Sequence, residues 1–324
     1  MVGMRILLPA LFLAASAFAQ VATFSIVGYD AAAGDWGVAV ASRYFSVGSV
    51  VPWAEAGVGA IATQANVNVG YGPRGLELLR QGHSAKEVLA QLMAQDKFEG
   101  KDGRQVAIID GKGNIATFTG PNAPTWAGDR QGKNWSAQGN ILVGPQVVEA
   151  MGKAFESTSG ELAEKMFAAL KAGDAAGGDA RGKQSASMLV VRKLGGRNIN
   201  NDRYLYINVD DNPQPFPELR RLLDLALGYV HQDKTFKLLR SGDTKGARDE
   251  AAMAARYFPE RADVHLSLGM LNYAVGDKTG ALAAFRAAMA LDKNFRKQFD
   301  AAASRPANKA ILEDKAFLKE LFGE

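Results

Sequence analysis

The chain has 324 residues, 47% of them hydrophobic and 22% charged, with a formal net charge of +4. That balance excludes a disordered chain, a collagen-like repeat and a polytopic membrane protein, and the length suffices for two domains with cores of their own. The mild positive excess holds no run of Lys or Arg and does not point to nucleic acid, and the absence of Cys excludes disulfides, Cys-ligated zinc and a cysteine nucleophile.

Arg5 is the sole charged side chain ahead of Asp30, an apolar run from Ile6 to Ala15 follows it, and Ala17-Phe18-Ala19 supplies a small-x-small cleavage motif. This order reads as a secretory signal peptide over 1–19, and its apolar part is shorter than the roughly 20 residues of a membrane span. A periplasmic or secreted protein without a membrane span is therefore expected.

From 23 to 212 the chain alternates strand-like and helix-like segments. Strands are predicted at 23–29, 36–42, 58–63, 105–110, 114–119, 140–143, 185–192 and 204–209, rich in Val, Ile and Ala and bracketed by Gly or Asp. Asp110-Gly111-Lys112-Gly113 joins two of them as a hairpin. Helices are predicted at 73–81, 85–94, 145–155 and 161–172; Leu89, Leu92 and Met93 show the spacing of a buried face. Strands first, a helical pair next and more strands later suggest an α+β fold with sheets packed under helices.

Residues 213–217, Pro213-Gln214-Pro215-Phe216-Pro217, read as a Pro-rich linker, and 218–324 contain no convincing strand. Gly242, Ala247, Ala251, Ala254 and Pro259 recur 34 positions later as Gly276, Ala281, Phe285, Ala288 and Lys293. With Leu268-Gly269, Tyr273 and Gly276-Asp277, this fits the tetratricopeptide template of a helix–turn–helix unit. The first unit would lead with a helix around 222–239, and 308–322 would form a capping helix. Two units are few for a free-standing array, so this all-α segment is expected to lean on the first domain.

Polar residues cluster where predicted strands meet turns, a placement suited to active sites. Thr23 opens the first strand, Ser42-Arg43 closes the second, Thr63-Gln64-Ala65-Asn66 closes the third, and Gln138-Gly139-Asn140 precedes another. Gly177-Gly178-Asp179 and Gln184-Ser185 lead into a late apolar strand. Each is also an ordinary turn former. Three His (His83, His231, His265) stand far apart, without paired spacing, so neither a His metal site nor a Ser-His-Asp triad is expected, and no cofactor is implied. No pair of acidic residues at the strand ends suggests glycoside hydrolysis.

These segments carry a resemblance. Thr23-Phe24-Ser25-Ile26-Val27, Gly37 to Phe45, Val51-Pro52-Trp53-Ala54, Gly57 to Ala65, Gln138-Gly139-Asn140 and Gly177-Gly178-Asp179 with Arg181-Gly182 and Gln184-Ser185-Ala186 resemble the domain of unknown function 1028 family over about 23–212. The resemblance places the domain with the N-terminal nucleophile (Ntn) hydrolases and implies a four-layer αββα sandwich over 20–212. It further implies that Thr23, as the first residue of a processed chain, attacks an amide carbonyl while its own α-amine acts as base. By position and type, Asn140 and Gly139 would form the oxyanion hole, and Asp179 and Ser185 would orient the α-amine. Arg43 would hold a substrate carboxylate or a structural Asp, and Thr63, Gln64 and Asn66 would line the pocket.

The chain departs from the pattern in two respects. Cleavage after Ala19 leaves Gln20-Val21-Ala22 ahead of Thr23, so either a second trim frees Thr23 or the domain is catalytically silent. No Lys precedes Lys86, where a proteasome-type site uses one. Ser25 is a weaker nucleophile candidate because it has no α-amine of its own. The implied substrate is a small amide or peptide. The alternative is a non-catalytic periplasmic binding or scaffold protein, with the repeats docking a protein partner and a homo-oligomer compatible with either reading.

Overall fold

The structure, a computed structural model, describes residues 23–323. The expected signal peptide at 1–19 lies outside the described residues, as do residues 20–22.

The first part of the chain runs β1 (Thr23–Asp30), β2 (Asp35–Ser42), β3 (Pro52–Glu55), β4 (Gly59–Ala65), α1 (Tyr71–Arg80), α2 (Ala85–Gln95), β5 (Arg104–Asp110) and β6 (Ile115–Thr119). It continues through β7 (Gly128–Gly132), β8 (Trp135–Asn140), α3 (Gln146–Ser157), α4 (Leu162–Ala175), β9 (Ser185–Arg192) and β10 (Arg203–Val209). The strands pair antiparallel in two sheets, ordered β10-β9-β2-β1-β8-β7 and β3-β4-β5-β6.

Alternation along each strand divides its side chains between two cores. Phe24, Ile26, Ala39, Ala41, Met188 and Val190 pack with α3 and α4. Their neighbours Val27, Val38, Val40, Leu189 and Val191 pack with Ala60, Ala62, Ala107 and Ile109 of the smaller sheet. The far face of that sheet, with Ile61, Val106 and Ile108, takes α1 and α2. The layers thus run helices, sheet, sheet, helices. Strands covered on both faces read as continuous apolar runs, which is why β1, β2, β4, β5 and β9 are predictable. The β5–β6 hairpin forms at the expected turn: Gly113 adopts φ +83°, and Asp110 Oδ1 accepts from the N–H groups of Lys112 (2.9 Å) and Asn114 (3.0 Å).

After β10 the chain is helical: α5 (Pro215–Ser241), α6 (Thr244–Tyr257), α7 (Ala262–Ala274), α8 (Lys278–Leu291), α9 (Phe295–Ala303), α10 (Ala310–Glu313) and α11 (Lys315–Phe322). The 34-residue offset is visible in the turns. Gly242 and Gly276 both adopt left-handed φ (83° and 87°), and Asp243 and Asp277 then cap α6 and α8 by accepting from Gly246 and Gly280 N–H at 2.8 Å each.

The structure differs from expectation at several points. No strand forms at 140–143: Asn140 ends β8, and Ile141 turns the chain away with φ +53°. Strands β3, β7 and β8 add to those expected. Residues 213–217 include the first turn of α5, since Pro at the start of a helix lacks only an N–H that would have no intrahelical partner. The expected single helix at 308–322 is broken at Asp314, whose carboxylate caps α11 through Phe317 N–H (3.1 Å).

The helical segment shares the core of the first part. Phe216, Leu219, Leu223, Leu227, Val230 and Tyr257 join Tyr204, Leu205 and Val209 in one apolar cluster with α3 and α4. A charged seam borders it. His231, 2% exposed, stacks on Tyr257 with ring centroids 5.7 Å apart, and lies between Glu250 Oε2 (2.5 Å from Nδ1) and Glu161 Oε1 (3.3 Å from Nε2). Tyr204 donates to Glu161 (2.7 Å), Tyr257 to Glu164 (3.0 Å), and Arg220 pairs with Glu164 (2.7 Å).

Candidate functional site

At one end of the space between the sheets the apolar residues give way to a neutral polar layer. Register explains it: Thr23 lies between Asn140 on β8 and Ser42 on β2, and Ser42 faces Ser185 on β9. One row deeper, Ser25 faces Gln138. The smaller sheet contributes the cross-strand pair Gln64 and Gln105. All eight side chains are buried.

Thr23 Oγ1 lies 3.0 Å from Ser42 Oγ, and the Thr23 carbonyl accepts from Gln64 Nε2 (3.4 Å). Gln105 is the hub. Its Nε2 faces the carbonyls of Gly139 (2.8 Å) and Gly128 (3.3 Å) and Thr119 Oγ1 (3.0 Å). Backbone carbonyls only accept, so the amide is fixed with Oε1 towards Gln64 Nε2 (2.8 Å) and Asn140 Nδ2 (3.1 Å). The direction then propagates. Ser136 donates to Gln138 Oε1 (3.1 Å), Gln138 Nε2 to Ser25 Oγ (2.6 Å), and Ser25 to Gln64 Oε1 (2.6 Å). One acceptor remains: Asn140 Oδ1, buried and without a partner. A buried orphan acceptor is costly and calls for an explanation.

The sequence-predicted residues divide into two groups. Thr23, Gly139, Asn140 and Gln64 come together, with Ser185 two strands from Thr23. Ser185 Oγ donates to the Tyr44 carbonyl and accepts from Val47 N–H (3.3 Å), so it shapes the turn after β2 and does not touch Thr23. Asp179 is likewise engaged elsewhere: its carboxylate accepts from Arg43 N–H (3.0 Å), Arg181 N–H (2.8 Å) and the Arg181 guanidinium (2.9 Å). Arg43 meets this structural Asp through its backbone, while its exposed guanidinium reaches the Arg181 carbonyl (3.3 Å). Thr63 points to the helix face of its sheet and donates to the Asn68 carbonyl (3.3 Å). Asn66 is exposed and donates to the Gly100 carbonyl (3.1 Å), while its own carbonyl takes the Arg104 guanidinium. Alternation accounts for Thr63: Gln64, one residue on, takes the opposite face.

Gln105 and Ser136 were not singled out in the sequence. Gln105 carries a signal in retrospect, as a polar residue at the start of an otherwise apolar strand buried on both faces.

Among the described residues the polar side chains of the site are hydroxyls and carboxamides, which do not titrate near neutral pH. The shifted groups lie in the seam. Burial pushes Glu161 up, but the neighbouring His231 imidazole, the hydrogen bond from Tyr204 and the charge of Lys234 bring it down to about 2. Burial lowers His231, but Glu161 and Glu250 outweigh it and raise the imidazole above its usual value. Among the described residues no group of three or more His, Asp or Glu is arranged to hold a metal ion, and no helix is long and apolar enough to cross a membrane.

The fold and site define a mixed α/β protein with antiparallel sheets, a buried neutral polar layer at the start of its first strand, and a helical extension. The chain belongs to the DUF1028 family, a family of unknown function, whose model matches residues 23–219. The match ends within the first turns of α5. The crystal structure of protein SPO2555 from Silicibacter pomeroyi, also DUF1028, is similar at 29% sequence identity and a TM-score of 0.60, covering 66% of this chain and 91% of that one. No curated protein matches the chain.

Proposed function

We propose that this is an exported amidohydrolase of the N-terminal nucleophile type, with an αββα sandwich as its catalytic unit and Thr23 as nucleophile once processing makes it the first residue. The observation that carries the reading is the setting of Thr23. It opens β1 and lines a crevice, and among the described residues the polar side chains that surround it are hydroxyls and carboxamides. With no imidazole, side-chain amine or carboxylate at hand among the described residues, the group that fits the role of base for its hydroxyl is its own α-amine, whose ordinary pKa is about 7.7–8.0.

The hydroxyl proton passes to the α-amine as Oγ1 bonds to the substrate carbonyl carbon. The C–N bond breaks, the amine leaves with that proton, and water then hydrolyses the ester. Asn140 Nδ2 commits one proton to Gln105 and has a second for the oxyanion. Asn140 Oδ1, the orphan across from Thr23, is the acceptor for the α-amine, the role first assigned to Asp179 and Ser185. The helical hairpins read as tetratricopeptide-like units that dock a protein partner. One observation favours the non-catalytic alternative: Asp179 and Ser185 are both engaged with loop backbone.

The test is a chain prepared to begin at Thr23, assayed against an amide library. Activity lost in Thr23→Ala and in a chain beginning at Gln20, with the fold intact by circular dichroism, is the expected result. Equal activity from the Gln20 chain refutes the α-amine mechanism, and no activity from any form favours the scaffold reading.

A further inference from the structure

The crevice beside Thr23 has a volume of about 30 Å³. Its walls are Val47, Val50, Val51 and Val67, with Tyr44 at the exposed rim and Gln64 at the inner end. Among the described residues its polar side chains are Thr23, Gln64 and, at the exposed rim, the Tyr44 phenol, and both ends of Gln64 are occupied: Oε1 accepts from Ser25, and Nε2 donates to the Thr23 carbonyl and to Gln105. Past the Tyr44 rim, a ligand group entering the crevice therefore meets aliphatic carbon and, among the described residues, no free polar side-chain partner beyond Thr23 itself. A charged or hydrogen-bonding group would be desolvated without compensation, whereas an aliphatic group gains from leaving water. The size favours a small group, since about 30 Å³ corresponds to roughly two water-sized spheres.

We infer that this crevice is the acyl-side subsite of the Thr23 centre and takes a small uncharged aliphatic group, an acetyl methyl or an alanyl side chain. The inference rests on Thr23 as the reacting residue. With the acyl group seated among the valines on the β2–β3 side, the leaving amine departs on the β8 side, where Asn140 lies.

The test uses the full chain beginning at Thr23 and a panel of p-nitroanilides: acetyl, alanyl, leucyl, phenylalanyl, glutamyl and lysyl. The acetyl and alanyl compounds should have the highest kcat/KM, by about tenfold or more over the others. Val50→Ala widens a half-buried wall and should move the preference towards leucyl. Equal or faster cleavage of the glutamyl, lysyl or phenylalanyl compound, or an unmoved preference in Val50→Ala, overturns the inference. A second arm separates it from the hydrolase reading. In Thr23→Ala, valine methyl NMR signals of Val47, Val51 and Val67 should shift on titration with N-methylacetamide and not with glutamate. Such shifts without any cleavage by the Thr23 chain would retain the subsite and reject the hydrolase; cleavage without the shifts would do the reverse.

Discussion

Replacing His231 by Gln removes the cation that lies between two carboxylates in the seam joining α4 to α5 and α6. The groups facing His231 are Glu161 at the start of α4, Glu250 and Tyr257 on α6, Lys234 on α5, and Tyr204 of β10 through Glu161. A fall of the Glu161 carboxyl from 4.5 to about 2 corresponds to roughly 3 kcal/mol of favourable interaction with all its partners together. His231 is the foremost of the groups that lower Glu161 and also hydrogen-bonds Glu250 through Nδ1, so His231→Gln should cost about 1–3 kcal/mol near pH 6. The pH dependence has a definite sign. The imidazole is raised above 6.5 in the folded chain, so its contribution is complete below 6.5 and is lost as pH rises through the raised value. Glu161 and Glu250 are both lowered, so theirs is present above 4.5 and lost as pH falls. The seam is strongest between about pH 4.5 and 6.5. Urea unfolding of the full chain and of His231→Gln at about pH 6 and about pH 9 measures this. The gap between the two proteins should shrink at the higher pH. A constant gap, or two parallel losses of stability with pH, would show that His231 is not charged in the folded protein.

Gln105→Leu leaves Gln64 Nε2, Asn140 Nδ2 and the Gly139 carbonyl without their shared partner, and should cost on the order of 3–6 kcal/mol in urea unfolding. A loss below about 1 kcal/mol would mean that the layer re-forms around water. A chain ending after Pro213 lacks Phe216, Leu219, Leu223 and Leu227, worth about 6–12 kcal/mol of burial at roughly 1.5–3 kcal/mol each. That is comparable to the whole stability of an ordinary domain, so the truncated chain should lose its dispersed NMR spectrum while one ending after Ser241 keeps it. Gly228→Ala places a Cβ 2.5 Å from the Phe258 ring and should destabilise the α5–α6 pair by about 1–3 kcal/mol, seen as a lower Tm.

What the sequence discloses depends on which side chains a strand turns inward. The strands with Val, Ile and Ala on both faces are legible, as are the 34-residue offset and the Asp110–Gly113 turn. Strand β8 is hidden because its positions facing the second sheet are Ser136, Gln138 and Asn140, which resemble loop composition until Ser25, Gln64 and Gln105 are brought opposite them. The first turn of α5 is hidden by Pro215 and Pro217, which usually signal an extended linker. In the site, residue type and strand-end position single out Thr23, Asn140, Gly139 and Gln64, which lie together in the structure.

The amide relay through Ser25, Gln64 and Gln105 has a consequence for how the two sheets find their alignment. A layer of Val, Ala and Ile is held by contacts that hardly depend on orientation, and several offsets of one sheet over the other would bury similar area. Hydrogen bonds of fixed donor and acceptor sense admit far fewer arrangements, and here each amide dictates the orientation of the next. The relay therefore works as a dowel: the valines clamp the sheets together, and the glutamines select the offset at which they are clamped. Thr23 stands beside that dowel, so it is held at the part of the interlayer with the least freedom to slide.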